Sequence, residues 1–165
     1  MAAINVLIPF SRAFVALGSN LGERAENIGR AVDALRSSEG VGIGAISSML
    51  ENPAVGGPPG SPPFLNAVVE LNTALQPHEL LDLLLDIERR LGRVRSRKWE
   101  PRVIDLDLIL YGDKIIDRPH LTVPHPLMHQ RDFVLRPLAE IAPEVVHPKL
   151  QMTAKELLQR LAGAD

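Results

Sequence analysis

The chain contains no cysteine. That rules out a disulfide framework, a thiolate zinc site and a cysteine nucleophile, and it fits a reducing compartment such as the cytoplasm. Aromatic residues are scarce, at 4% of the chain, so each one placed in a loop or at a strand end carries information. No apolar run approaches the roughly 18 residues that cross a membrane. The opening MAAINVLIPFSR has no basic stretch ahead of its apolar patch and breaks at Pro9. It does not fit a signal peptide, so residues 1–11 read as an N-terminal extension. Nor is there an excess of one charge. With 18 Lys+Arg against 20 Asp+Glu the net charge is −2, and nothing global attracts nucleic acid.

What remains is 165 residues, 45% of them hydrophobic, enough for a single domain over 12–165 with a substantial core. FVALG at 14–18 reads as a buried strand. Asn20-x-x-Glu23 has the pattern of a capping box, and Ala25, Ile28, Val32 and Leu35 follow at helical spacing. AISSML at 45–50 and the alternating run at 64–75 are expected strands. Pro77 suits the first turn of a helix with Leu80, Leu84, Ile87 and Leu91 on one stripe and Gly92 just past its end. A strand over 103–111 follows, then a short edge strand at 114–117, a short helix in PLAEIAP, and a last helix announced by Thr153-x-x-Glu156. Strand, helix, strand, strand, helix, strand is the βαββαβ order of an α+β, ferredoxin-like fold, an antiparallel sheet with helices packed on it, here with C-terminal additions.

Two aspartates interrupt the last of these strands. Alternation puts Ile104, Leu106, Leu108 and Leu110 on a core face and Val103, Asp105, Asp107 and Ile109 opposite. Carboxylates two apart on one face lie roughly 6.6 Å from each other at Cα. Unless that face is simply wet, they repel, and a hard divalent cation relieves the repulsion. Just ahead, residues 89–102 hold seven basic side chains, Arg89, Arg90, Arg93, Arg95, Arg97, Lys98 and Arg102, against the single acid Glu100. Cations beside a metal-binding pair suit a polyphosphate. An RNA-binding patch is the competing reading, but only Trp99 is available as a stacking platform and the net charge is acidic. VPHPLMHQRDF adds His125, His129, Arg131 and Phe133. Pro126 disturbs the local helix that a zinc pair at His125 and His129 would need, so phosphate contact is the better reading. Two long loops, 52–63 and 92–102, have the length of active-site lids.

Taken together the motifs resemble one family, the hydroxymethyldihydropterin pyrophosphokinases of folate biosynthesis. The matching pieces are ALGSNLG, FLNA at 64–67, GRVR at 92–95, W-x-PR-x-x-DLDL at 99–108, LTVPHP at 121–126 and R-x-F-V-L-x-PL-x-EIAP at 131–143, in the family's order over nearly the whole chain. The resemblance implies transfer of the β,γ-pyrophosphoryl group of ATP to 6-hydroxymethyl-7,8-dihydropterin, with AMP released. It implies two Mg²⁺ ions on Asp105 and Asp107, and charge neutralisation of the transferring group by Arg93, Arg102, His125 and Arg131. The implied ATP site comprises Glu88, Arg95, Lys98, Trp99, Arg102, Leu108, Thr122, His125 and Arg131. The implied pterin site has Phe64 and Phe133 sandwiching the ring and Asn66 reading its polar edge, with Trp99 and Asp105 beside them and backbone contacts at Asn52, Pro53 and Val55. The chain departs from the family at Glu100, where glycine is usual, and at Asn52, where threonine is usual. The stretch from Arg95 to Trp99 is also one residue shorter than in some relatives. The partners expected are small-molecule substrates, with no nucleic acid and no membrane, for a cytoplasmic monomer.

Overall fold

In the computed structural model, the structure describes residues 10–52, 60, 62–92 and 103–163. The strand that organises it is β1 (Ser11–Ser19), which is paired on both sides. One neighbour is β4 (Phe64–Thr73) and the other β5 (Asp105–Tyr111), both antiparallel to it. Beyond β4 lie β2 (Val41–Ile46) and the short β3 (Leu50–Asn52), giving the order β2-β4-β1-β5 with β3 alongside β4. With α1 (Arg24–Arg36) between β1 and β2, and α2 (Pro77–Arg90) between β4 and β5, this is the split βαβ arrangement expected of a ferredoxin-like sheet.

Both faces of the sheet are covered, which is why FVAL is apolar throughout instead of alternating. Ala13, Val15 and Leu17 join α1 and α2 in one core, through Ile28, Val32 and Leu35 and through Leu80, Leu84 and Ile87. Phe14, Val68 and Ile109 join the opposite core. That second core is closed by α3 (Asp132–Ile141), through Val134, Leu135 and Leu138, and by α4 (Ala154–Ala162), through Leu157. The C-terminal additions are thus the lid of the second layer.

Several local expectations are corrected. Asn20 does not cap α1. The helix begins a turn later, with Glu23 at the N-cap, and Asn20 donates instead to the carbonyl of Pro62 at 3.3 Å. Ala25 therefore falls on the exposed first turn, and Asn27 and Ala31 take buried places on the stripe. The AISSML strand is broken: β2 stops at Ile46 and β3 starts at Leu50, because Ser47 turns inward and exchanges bonds with Val68. The expected edge strand pairs not with the main sheet but in a small hairpin, β6 (Ile116–Arg118) with β7 (Leu121–Val123). The PLAEIAP helix starts earlier, at Asp132, and runs through Pro137.

Alternation in β5 also breaks late. Phe14 pairs Leu110 while Val15 pairs Leu108, so Ile109 is an extra residue. Such a bulge reverses the faces beyond it. Leu110 joins Ile109 in the second core, and Tyr111 takes the place in the first core that Leu110 was expected to fill.

Two capping boxes close helix starts, Gln76 with Glu79 on α2 and Thr153 with Glu156 on α4. In the second, Glu156 N donates to Thr153 Oγ1 at 3.1 Å. Thr153→Ala removes that acceptor and is expected to destabilise the fold by about 1 kcal/mol, seen as a thermal midpoint about 2–4 °C lower. An unchanged midpoint would show that the box adds nothing to stability.

Candidate active site

The register across three strands assembles the site. Gly18 pairs with Asn66 on β4 and with Asp105 on β5, so these three residues form one row. The next row is Val68, Ala16 and Asp107. Alternate residues of a strand share a face. Phe64, Asn66, Gly18, Asp105 and Asp107 therefore lie on the face that carries the second core, beyond the part that α3 and α4 cover. Asp105 is half-buried and Asp107 exposed, while Ile104, Leu106 and Leu108 behind them are buried in the first core. The expected separation of aspartates from core residues holds from Ile104 to Leu108.

Gly18 is the floor of this row. A Cβ there would stand 3.0 Å from Asn66 Nδ2, tight enough to make that amide shift, and in ordinary contact with a Phe64 ring carbon at 3.5 Å, so glycine lets both side chains close over the strand. Asn66 is buried, and its Oδ1 has no hydrogen-bond partner among the described residues. A buried amide oxygen left unsatisfied costs roughly 1–3 kcal/mol. A buried acceptor of this kind is a candidate contact for a ligand donor. Phe64 is itself half-buried at the start of β4.

The motif at 121–133 comes to the same place from the other side. His125 N donates to the carbonyl of Ile109, two residues past Asp107, at 3.0 Å, which docks this segment on β5. Arg131 stands at the N-cap of α3 with its guanidinium carbon 5.6 Å from the centre of the Phe133 ring, a cation–π contact. Phe133 is half-buried in the first turn of that helix, and α3 packs against β3 and β4. Pro137 has no amide to send to the Phe133 carbonyl.

His125 is neutral here. Burial, then the positive Arg131, lowers its pKa from 6.5 to about 4. Its Nδ1 accepts from Leu127 N at 3.1 Å, so in the neutral ring the proton sits on Nε2. The expected cationic His125 is thereby refined: in the unliganded protein it offers a hydrogen-bond donor, and the charge beside it belongs to Arg131.

Other expected residues divide. Glu88 is buried on α2 with its carboxylate accepting from Leu106 N at 2.9 Å, on the outer edge of β5 between the two aspartates. The Leu108 side chain is committed to the first core, which leaves its backbone as the part able to meet a ligand. Thr122 is exposed on β7, and Asn52 pairs with Phe64. Pro53, Val55, Arg93, Arg95, Arg97, Lys98, Trp99, Glu100 and Arg102 lie outside the described residues. Sequence reasoning passed over Gly18, although ALGSNLG displayed it; a glycine inside a buried strand is the usual sign of a close approach.

Comparison with known proteins identifies the family and the fold. Residues 14–143 match the family model described as 7,8-dihydro-6-hydroxymethylpterin-pyrophosphokinase (HPPK). A 2-amino-4-hydroxy-6-hydroxymethyldihydropteridine pyrophosphokinase of Synechocystis is 43% identical, over 90% of this chain and 75% of its own length. The protein of the same description in Pseudomonas aeruginosa is 42% identical, over 93% of this chain and 98% of its own. Among solved structures, wild-type Plasmodium falciparum HPPK-DHPS with pteroate superposes with a TM-score of 0.73 at 14% identity, over 93% of this chain and 45% of that one, a likeness of fold. The chain belongs to the hydroxymethyldihydropterin pyrophosphokinase family.

The lowered pKa of His125 has a measurable consequence. Below pH 6.5 the unfolded chain takes up a proton that the folded protein refuses until pH falls to about 4. His125 therefore makes stability fall as pH drops through that window and leaves it unchanged above. By NMR, His125 should titrate near 4, and Arg131→Met should move it upward. A value at or above 6.5 in the unliganded protein would contradict the burial.

Proposed function

We propose that the row Asn66–Gly18–Asp105 is the place where this pyrophosphokinase joins its two substrates. The reaction is that of its family in folate biosynthesis: ATP gives its β,γ-pyrophosphoryl group to the hydroxymethyl oxygen of 6-hydroxymethyl-7,8-dihydropterin. The hydroxymethyl oxygen bonds to the β-phosphorus and loses its proton. The bond from that phosphorus to the α,β-bridging oxygen breaks, and AMP leaves with the oxygen.

The observation that carries this reading is the spacing across Gly18. Asn66 and Asp105 are two strand spacings apart, roughly 9.6 Å. That span suits a bicyclic ring with a one-carbon arm, its edge at the amide and its arm at the carboxylate. Asn66 Oδ1, buried without a partner among the described residues, would accept from an N–H of the ring. Phe64 and Phe133 would stack on the ring's faces, and Asn52, Pro53 and Val55 would contribute backbone contacts.

The donor set suits Mg²⁺. Asp105 and Asp107 offer hard oxygen ligands on one strand face, and no cluster of three or more His, Asp or Glu forms a closed cage among the described residues. Mg²⁺ is held in this way, by one or two carboxylates with substrate phosphate and water completing the octahedron. Two ions on these aspartates would supply Lewis-acid neutralisation of the triphosphate. The protein's own part is positioning. Neutral His125 would donate from Nε2 to a phosphate oxygen and Arg131 would supply fixed positive charge. Glu88 would hold the backbone between the aspartates. Arg93, Arg95, Lys98, Trp99 and Arg102 would complete the ATP side, together with Thr122 and the Leu108 backbone. Preorganised charge of this kind is the main resource in phosphoryl transfer. The proposal includes a monomer working in the cytoplasm on small molecules alone.

Incubation with ATP, Mg²⁺ and the reduced pterin alcohol should leave AMP and a diphosphorylated pterin. Pyrophosphate as product would indicate a nucleotidyltransferase, and no turnover a binding module. Asp105→Ala or Asp107→Ala should lower kcat on the order of a thousandfold or more with an unchanged melting profile. Near-normal rates in either would remove the metal assignment. Gly18→Ala should displace Asn66 and Phe64 and cost roughly tenfold to a hundredfold in kcat/KM for the pterin, with the KM for ATP unaltered. Equal losses for both substrates would count against a ring site over Gly18.

A further inference from the structure

Arg24 is the first residue of α1, yet its guanidinium serves another part of the chain. Nη1 donates to the carbonyl of Pro63 at 2.9 Å, and Nη2 lies 3.3 Å from Glu51 Oε2. Pro63 immediately precedes Phe64, and Glu51 immediately precedes Asn52. Asn52 and Phe64 are themselves paired between β3 and β4. One planar side chain thus grips both arms of the β3–β4 connection, each one residue from a group assigned to the ring site.

The grip is backed by a second set of bonds. Asn20 donates to the neighbouring carbonyl, Pro62, at 3.3 Å. Asn27, buried on α1, donates to Leu21 O at 2.9 Å and to Ser19 Oγ at 3.2 Å, which fixes the turn from which Asn20 and Arg24 project. The Pro63 carbonyl faces this turn, and Arg24 supplies a donor to it. A guanidinium can satisfy two acceptors in different directions with little loss of freedom, which a lysine ammonium on its flexible stem does less well.

We infer that Arg24 is a positioning residue for the pterin side of the site: by clamping Pro63 and Glu51 it fixes Phe64 over Gly18 and beside Asn66. The inference rests on the pterin reading given above. It concerns a residue on α1, an element that carries neither the aspartates nor His125. The clamp acts on ring binding and leaves the phosphate side alone. Its loss therefore shows as a rise in the KM for the pterin with kcat and the KM for ATP preserved. A purely structural role would lower kcat and raise both KM values together, or lower the melting temperature.

The test is steady-state kinetics on the full chain with both substrates varied, alongside thermal melting. Arg24→Ala is expected to raise the pterin KM roughly tenfold, the loss of one charge-assisted hydrogen bond, with kcat and the ATP KM within about twofold. Arg24→Lys should give a smaller rise, since one ammonium cannot hold both arms, and Glu51→Gln a smaller one still because the Pro63 bond survives. An unchanged pterin KM in folded Arg24→Ala overturns the inference, as does a parallel rise in the ATP KM. Should Arg24→Ala fail to fold, Arg24→Lys decides by the same criteria. Asn66→Ala, measured in parallel, separates the two levels. If it raises the pterin KM while Arg24→Ala does not, the clamp is wrong and the ring site stands. If neither variant changes it, the ring site falls and the clamp with it.

Discussion

The pairing of β1 with β4 on one side and β5 on the other is the constraint on which the rest depends. It is a backbone interaction, and its register sets Gly18 between Asn66 and Asp105. A slip of one residue in either pairing would send an amide or a carboxylate to the opposite face, into the core with α1 and α2. That core is what forbids the slip: Val15, Leu17, Val69, Leu106 and Leu108 have to face it. Apolar burial on one side of the sheet thus holds polar groups in line on the other, although those core side chains face away from the site.

One polar atom of the site has a need that the described residues leave unmet. Asn66 Oδ1 is buried without a partner among the described residues. His125 is kept neutral by burial and by Arg131. Asp105 and Asp107 are placed side by side on one strand face. The Asn66 acceptor is what a ring N–H of the proposed substrate would satisfy, while the neutral imidazole and the two carboxylates would meet phosphate and its divalent cations. Catalysis by positioning requires such preorganisation, since donors and charges already aimed at the reacting atoms need not be rearranged during the step.

Much of this was legible in the chain, for reasons tied to particular residues. Leu80, Leu84 and Ile87 repeat with the period of a helix and are buried on one side of α2. Asp105 and Asp107 interrupt an apolar alternation, and a strand allows them only the face opposite Leu106. Thr153 and Glu156 form the capping box their spacing announced, because that motif is satisfied within four residues. Asn20 and Glu23 have the same spacing and form none, because the Pro62 carbonyl from a distant segment takes the Asn20 amide. Leu110 went to the opposite core because of a bulge, which depends on how β5 meets β1 and leaves no mark in its own sequence.

The sequence by itself determined the order of the main elements, the two faces of each strand as far as the bulge, and the family. Those follow from periodicities of two and 3.6 residues and from motifs whose members are close in the chain. Only the tertiary structure decided that Gly18 lies between Asn66 and Asp105, that His125 is uncharged, and that Arg24 bonds to the residues just before Asn52 and Phe64. Each of these depends on contacts between residues far apart in the chain, and on the burial those contacts create.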